Sequence, residues 1–177
     1  MAVQLSSMMG MGQPAPVRAQ AVAPEQAPTN PIEQEYLQRL MQAYPELLQE
    51  YAAHPESKGG RIINTDVARE MSPEYRADRT KSADVHEPAS AFMKKVYAEK
   101  LARPTPKGMD NTVVFSAGGT GAGKTTALDL LESVDPALKR SEMIYDTNMN
   151  KFESADKKIK QALDAKRKVR IVYTYRD

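Results

Sequence analysis

The segment Gly118-Gly119-Thr120-Gly121-Ala122-Gly123-Lys124-Thr125 constrains this chain more than any other stretch in it. It fits the phosphate-binding pattern G-x-x-x-x-G-K-[ST] at every fixed position. Glycines let backbone N–H groups turn inward around phosphate oxygens at angles a Cβ would forbid, and the helix that follows offers its positive N-terminus to the same anion. The context agrees with the pattern. Thr112 to Ser116 (TVVFS) is an apolar, β-branched run suited to a buried strand, and a helix reads from Lys124 to Val134. From average residue usage, a chance match in a chain this long is on the order of one in two hundred. The segment therefore predicts a nucleoside-triphosphate site over Gly118 to Thr126. Lys124 would reach the β- and γ-phosphates and the Thr125 hydroxyl would bind Mg²⁺. ATP or GTP is the implied nucleotide, although a guanine-specifying N-K-x-D is absent.

Strands and helices alternate around that loop. Arg61 to Asp66 (RIINTD) reads as a short strand leading into a helix from about Asp66 to Met71. A longer helix fits Glu87 to Ala102, with Phe92, Val96 and Leu101 inward and Lys94, Lys95, Glu99 and Lys100 outward. Met143 to Asp146 (MIYD) is another short strand. Ser154 is placed to cap a helix to about Arg167, with Ile159 and Leu163 inside, and Lys168 to Tyr175 (KVRIVYTY) is a final strand. The alternation predicts an α/β chain: a three-layer phosphate-loop NTPase fold with a mostly parallel sheet covered on both faces. No internal repeat is visible.

Gly59-Gly60 marks a break, and residues 31–58 ahead of it read as a helical appendage on a phosphate-loop domain spanning 59–177. Asn30 is a cap, Pro31 suits the first helical position and Glu33 sits where a capping-box acid would. Ile32, Tyr36, Leu37, Leu40, Met41 and Tyr44 then share one helical face. Pro45 ends or kinks that helix, and Leu47, Leu48 and Tyr51 allow a second. Residues 1–30, rich in Ala, Gln, Pro, Val and Met, show neither period and read as a disordered tail, the alternative being a peptide that orders on a partner.

Composition trims the function classes. The 177 residues carry 25 basic and 23 acidic side chains, for a net charge of +2, an even balance that argues against general nucleic-acid binding. Zero cysteines exclude a disulfide scaffold, a thiolate metal site and a cysteine nucleophile, and two histidines argue against a multi-histidine metal site. No run approaches the roughly 18 apolar residues of a membrane span, and Met8, Met9 and Met11 follow no basic cluster. The expectation is a soluble, intracellular chain. Lys157-Lys158, Lys160 and Lys166-Arg167-Lys168 read as a solvated basic face, since acids are interspersed and no aromatics are interleaved for base stacking.

A phosphate loop alone does not separate kinases from GTPases, motors or switches, but the length suits a small-molecule or nucleotide kinase. Such an enzyme needs a carboxylate that accepts the acceptor hydroxyl's proton in line with the γ-phosphate. Asp66 ends a predicted strand, where open α/β sheets bind ligands, and Arg69 is three residues on along the same helical face. The plainer reading of this pair is a surface ion pair.

Taken together, Arg61 to Tyr75 (RIINTDVAREMSPEY), His86-Glu87-Pro88-Ala89-Ser90, Gly118 to Thr126 and Val169 to Asp177 (VRIVYTYRD) resemble the zeta-toxin family of phosphate-loop kinases. The best-known members of that family phosphorylate UDP-N-acetylglucosamine on the sugar. The resemblance covers about residues 60–177. It implies that Asp66 is the general base of a D-x-x-R element, that Arg69 is its arginine, and that Lys124 serves catalysis. It also implies that Glu87 contacts the sugar-nucleotide and that Asp146-Thr147 corresponds to a strand-end E-G-T element at the substrate, without its glycine. Two alternatives stay open: Glu87 as a helix-end acid favoured by the dipole, and Asp146 as a Mg²⁺-associated acid. The motif order is inverted relative to the family, with Asp66 ahead of Gly118, as in a circular permutation. The family's lid arginines would begin near Arg176-Asp177, which predicts the front portion of a longer protein whose core and activity are incomplete as given.

Two functions follow as expectations. One is an ATP-dependent kinase acting on a small molecule such as a sugar-nucleotide, in a bacterial cytoplasm. The other is a nucleotide-binding structural protein, catalytically incomplete, that docks through residues 1–53 on a protein assembly such as a phage particle.

Overall fold

The computed structural model describes residues 28–118, 123–149 and 151–174. Prolines open most of the early elements, where their missing N–H costs nothing. Helix α1 (Pro31–Gln42) starts on Pro31 behind Asn30, whose side chain accepts from the Glu33 amide. Glu33 itself reaches back one residue further than a capping box requires, accepting from the amide and hydroxyl of Thr29. Pro45 opens α2 (Tyr44–Ala53) directly after the Ala43 break.

The sheet contains β1 (Ile62–Asn64), β2 (Asp110–Ala117), β3 (Ser141–Asp146) and β4 (Lys168–Tyr173), all parallel, in the order β1-β3-β2-β4. Between them run α3 (Thr65–Arg69), α4 (Pro73–Ala77), α5 (His86–Ala102), α6 (Lys124–Val134), α7 (Pro136–Lys139) and α8 (Phe152–Asp164). This is the three-layer α/β architecture of phosphate-loop proteins. The strand ahead of the loop, β2, is central and buried on both faces, which is why its sequence is a continuous apolar run rather than an alternation. Val113 and Phe115 enter a large core with Tyr36, Tyr51, Phe92, Val96, Tyr97, Met143 and Tyr145. Val114 enters a smaller one with Ile62, Leu128, Leu138 and Ile144.

The segment 31–58 precedes the sheet in the chain, but its inner face belongs to the main core: Tyr36, Leu37, Leu40, Leu47 and Tyr51 are all buried there. The Tyr36 hydroxyl donates to Ala68 O; the Tyr51 hydroxyl donates to Ile62 O at 2.7 Å and accepts from the Asn64 amide at 3.0 Å.

Several local expectations are corrected. Met41 is 79% exposed, because the buried stripe of α1 is spent on Tyr36, Leu37 and Leu40. Ser154 lies inside α8, which starts at Phe152 with Lys151 in the uncapped N-cap position and ends at Asp164. Ile159 packs against the core as expected, but Ala162 rather than Leu163 is the buried neighbour, Leu163 being 51% exposed. Thr65, not Asp66, opens α3. Most of the predicted tail (1–27) and Tyr175 to Asp177 lie outside the described residues. Among the described residues no helix is long and apolar enough to cross a membrane.

Candidate functional site

Parallel strands expose a crevice beyond their carboxyl ends, and there the register aligns three polar side chains. Asn64 of β1 and Ser116 of β2 both pair with Asp146 of β3, so Asp146 ends the middle strand of the three. Asn64 works in two directions. Its Oδ1 accepts from the amides of Asp66 (2.7 Å) and Val67 (3.3 Å), capping α3, while its Nδ2 donates to Asp146 Oδ2 at 2.8 Å. One side chain thus sets the start of the helix carrying Asp66 and Arg69 relative to Asp146.

The phosphate-loop segment begins and ends here. Gly118 has φ +143°, and a Cβ on it would stand 2.5 Å from Thr174 O, so the approach of β4 to the loop requires glycine. Gly123, at φ +80°, turns the chain into α6. Gly119, Thr120, Gly121 and Ala122 lie outside the described residues. Lys124 folds back over the loop: its Nζ donates to Gly118 O at 3.1 Å and Asn148 Oδ1 at 3.2 Å, and stands 3.9 Å from Asp146 Oδ1. Thr125 and Thr126 are exposed on the first turn of α6.

A cleft of about 1020 Å³ opens over these strand ends, and Asp66, Arg69, Glu87, Lys124, Asp146 and Thr147 all line it. Residues that the chain supplies from both sides of the loop therefore share one space. Asp66 is exposed, with Arg69 Nη1 at 3.1 Å from its Oδ1. Arg69 is anchored further by Ser82 Oγ at 3.0 Å and His86 Nδ1 at 2.8 Å. This is more than the plain surface pair that spacing alone describes. Glu87 sits in the first turn of α5, where it complements the dipole, and it also faces the cleft.

Burial pushes the Asp146 carboxyl above the usual aspartate range; Lys124 pulls it back and the nearby Asp66 adds to the rise. Asp146 Oδ1 is buried without a hydrogen-bond partner. The Lys124 ammonium lies 3.9 Å away from it. Among the described residues no cluster of three acidic or histidine side chains forms a closed metal site.

The floor is aromatic. Tyr97 and Tyr145 meet edge to face at 5.0 Å, and Lys158 lies 4.8 Å over the Tyr145 ring. Burial first, then Lys94, holds the Lys158 ammonium below the usual lysine range. Lys157 and Lys158 both line the cleft; Lys157 is exposed, as expected of a solvated face, whereas the Lys158 stem lies over aromatic surface.

Sequence reasoning missed Asn64, Ser82, His86, Asn148 and Lys158. Asn64 carried a usable signal, a capping residue between a β-branched run and a helix. His86 and Ser82 carried none, because their partner lies on another element. The chain matches none of the known protein families compared with it, and no curated protein matches it.

Proposed function

We propose that the chain is an ATP-dependent small-molecule kinase of zeta-toxin type, transferring a phosphoryl group to a hydroxyl of an acceptor such as UDP-N-acetylglucosamine. The observation that carries this reading is the single cleft: Asp66 and Arg69, far ahead of the loop in the chain, face the same space as Lys124 and Asp146. The inverted motif order is thus compatible with one assembled site.

In this reading Lys124 neutralises the β- and γ-phosphates, which requires its Nζ to leave Gly118 O and Asn148. Mg²⁺ fits the donors present, since it takes one or two protein oxygens and fills the rest with water and phosphate oxygens. Thr125 Oγ1 and Asp146 Oδ1 would hold it, and the orphaned state of Oδ1 supports the assignment. The ion would supply charge neutralisation on the transferring group. Arg69 occupies one oxygen of Asp66, leaving the other to accept the acceptor hydroxyl's proton as the new P–O bond forms. Glu87 and Thr147 line the remaining acceptor space.

The alternative, a scaffold docking through residues 1–53, draws less support. The apolar face of 31–53 that would dock on a partner is already buried in the chain's own core.

ADP release from ATP and Mg²⁺, with and without UDP-N-acetylglucosamine, tests the proposal. Acceptor-dependent release is expected, reduced about a hundredfold or more in Lys124→Ala. A folded chain that binds ATP yet releases no ADP with any sugar-nucleotide would overturn it.

A further inference from the structure

His86 faces the cleft, and Arg69 Nη2 lies 2.8 Å from its Nδ1. A guanidinium offers donors only and keeps its proton, so Nδ1 must be the acceptor. The imidazole in this arrangement is neutral, with its hydrogen on Nε2. The same guanidinium donates to Ser82 Oγ and pairs with Asp66 Oδ1, and its Nε is buried without a partner. Asp66 is 74% exposed, and an exposed pair of this spacing on its own would orient it weakly. Arg69 is orienting because it is pinned from behind, by groups on the segment that leads into α5.

We propose that His86 is a positioning residue: through Nδ1 it holds Arg69 so that Asp66 keeps one oxygen free towards the acceptor. The charged groups that share the cleft with it are Arg69 and Asp66 of α3, Glu87 and Lys94 of its own helix, Lys124 of α6, Asp146 of β3, and Lys151, Glu153, Lys157 and Lys158 across from them. Arg69 is the one in hydrogen-bond contact with it. The role in phosphoryl transfer rests on the kinase reading, whereas the His86–Arg69–Asp66 arrangement does not.

The test has a readout for each. In the ¹⁵N-labelled full chain at mildly alkaline pH, the imidazole nitrogens of His86 are expected to report a single Nε2–H tautomer. His54→Asn, which keeps a capping oxygen at its own site, assigns the signals. Arg69→Ala is expected to give mixed tautomers. In turnover, His86→Ala is expected to lower kcat roughly tenfold to a hundredfold with the KM for ATP unchanged. His86→Asn, which offers an amide oxygen to Arg69, is expected to restore most of kcat. Mixed tautomers in the unmodified chain, or wild-type kcat in a folded His86→Ala, would overturn the proposal. A single tautomer that collapses in Arg69→Ala, in a chain without turnover, would sustain the positioning pair and count against the kinase reading alone.

Discussion

The wall of the cleft that carries Asp66 is tied into the large core by buried hydroxyls and polar side chains, whereas the wall that carries Lys124 is tied by ion pairs over a small core. On the first, Asn64 joins α3 to Asp146, Arg69 reaches Ser82 and His86, and Tyr36 and Tyr51 bond the backbone from behind. On the second, Leu128 is the buried residue of α6 and Leu130 and Val134 stand exposed, while Asp129 pairs with Lys58 and Glu132 with both Lys58 and Arg61, and Lys124 donates to a carbonyl and an amide oxygen. The first wall is therefore held mainly by buried contacts and the second mainly by charges nearer the surface. Under the proposed kinase reading both must hold their groups in place, since small misplacements of reacting groups cost much of the rate.

The sharpest way to break this comparison is to empty each wall in turn. Tyr51→Ala, which opens the large core and strands Ile62 O and the Asn64 amide, should cost about 3–5 kcal/mol in urea unfolding. Leu128→Ala, in the small core, should cost about 2–3 kcal/mol. Equal losses would erase the asymmetry. Next in size, Asn64→Ala should lose about 1–2 kcal/mol from its cap and also free Asp146, so nucleotide affinity should fall with stability.

Asp146 sharpens the comparison with a change of sign. Burial raises its folded pKa, so its stabilising contribution is complete below the unfolded aspartate value, about 3.9, and is lost as pH rises through the higher folded value. At neutral pH the buried charge is a cost. Asp146→Asn, able to keep the Asn64 bond through its own amide oxygen, should gain stability there and flatten this part of the pH profile, while turnover falls. The smallest effects belong to Met41→Gln and Leu130→Gln, both exposed, which should stay within about 0.5 kcal/mol in thermal unfolding.

Legibility in the sequence divides along the same line. The strand before the glycine-rich segment and the bounds of α6 were readable because spacing and apolarity are local properties. The main-chain turns at Asn30, Pro31 and Pro45 were readable for the same reason. Periodicity exposed a face on α1 but could not say what covers it, so Tyr36 and Tyr51 read as part of an appendage though they are buried in the main core. On α8 the start was placed two residues late because Ser154 looked like a cap and Phe152 does not; of the two residues read as inward, Ile159 packs against the core and Leu163 does not. Lys158 read as a solvated charge because its stem's partner, Tyr145, is on another element. The Arg69–His86 contact joins residues whose spacing carries no helical or strand signal.

The central claim is that the two walls work as one site. Its most direct test is acceptor-dependent kcat in Lys124→Ala, Asp66→Asn and the double variant, each confirmed folded. Groups serving one step are strongly non-additive: each single variant should fall to near background and the double little further. Wild-type turnover in Asp66→Asn, or losses that simply multiply, would mean that Asp66 and Lys124 serve separate sites.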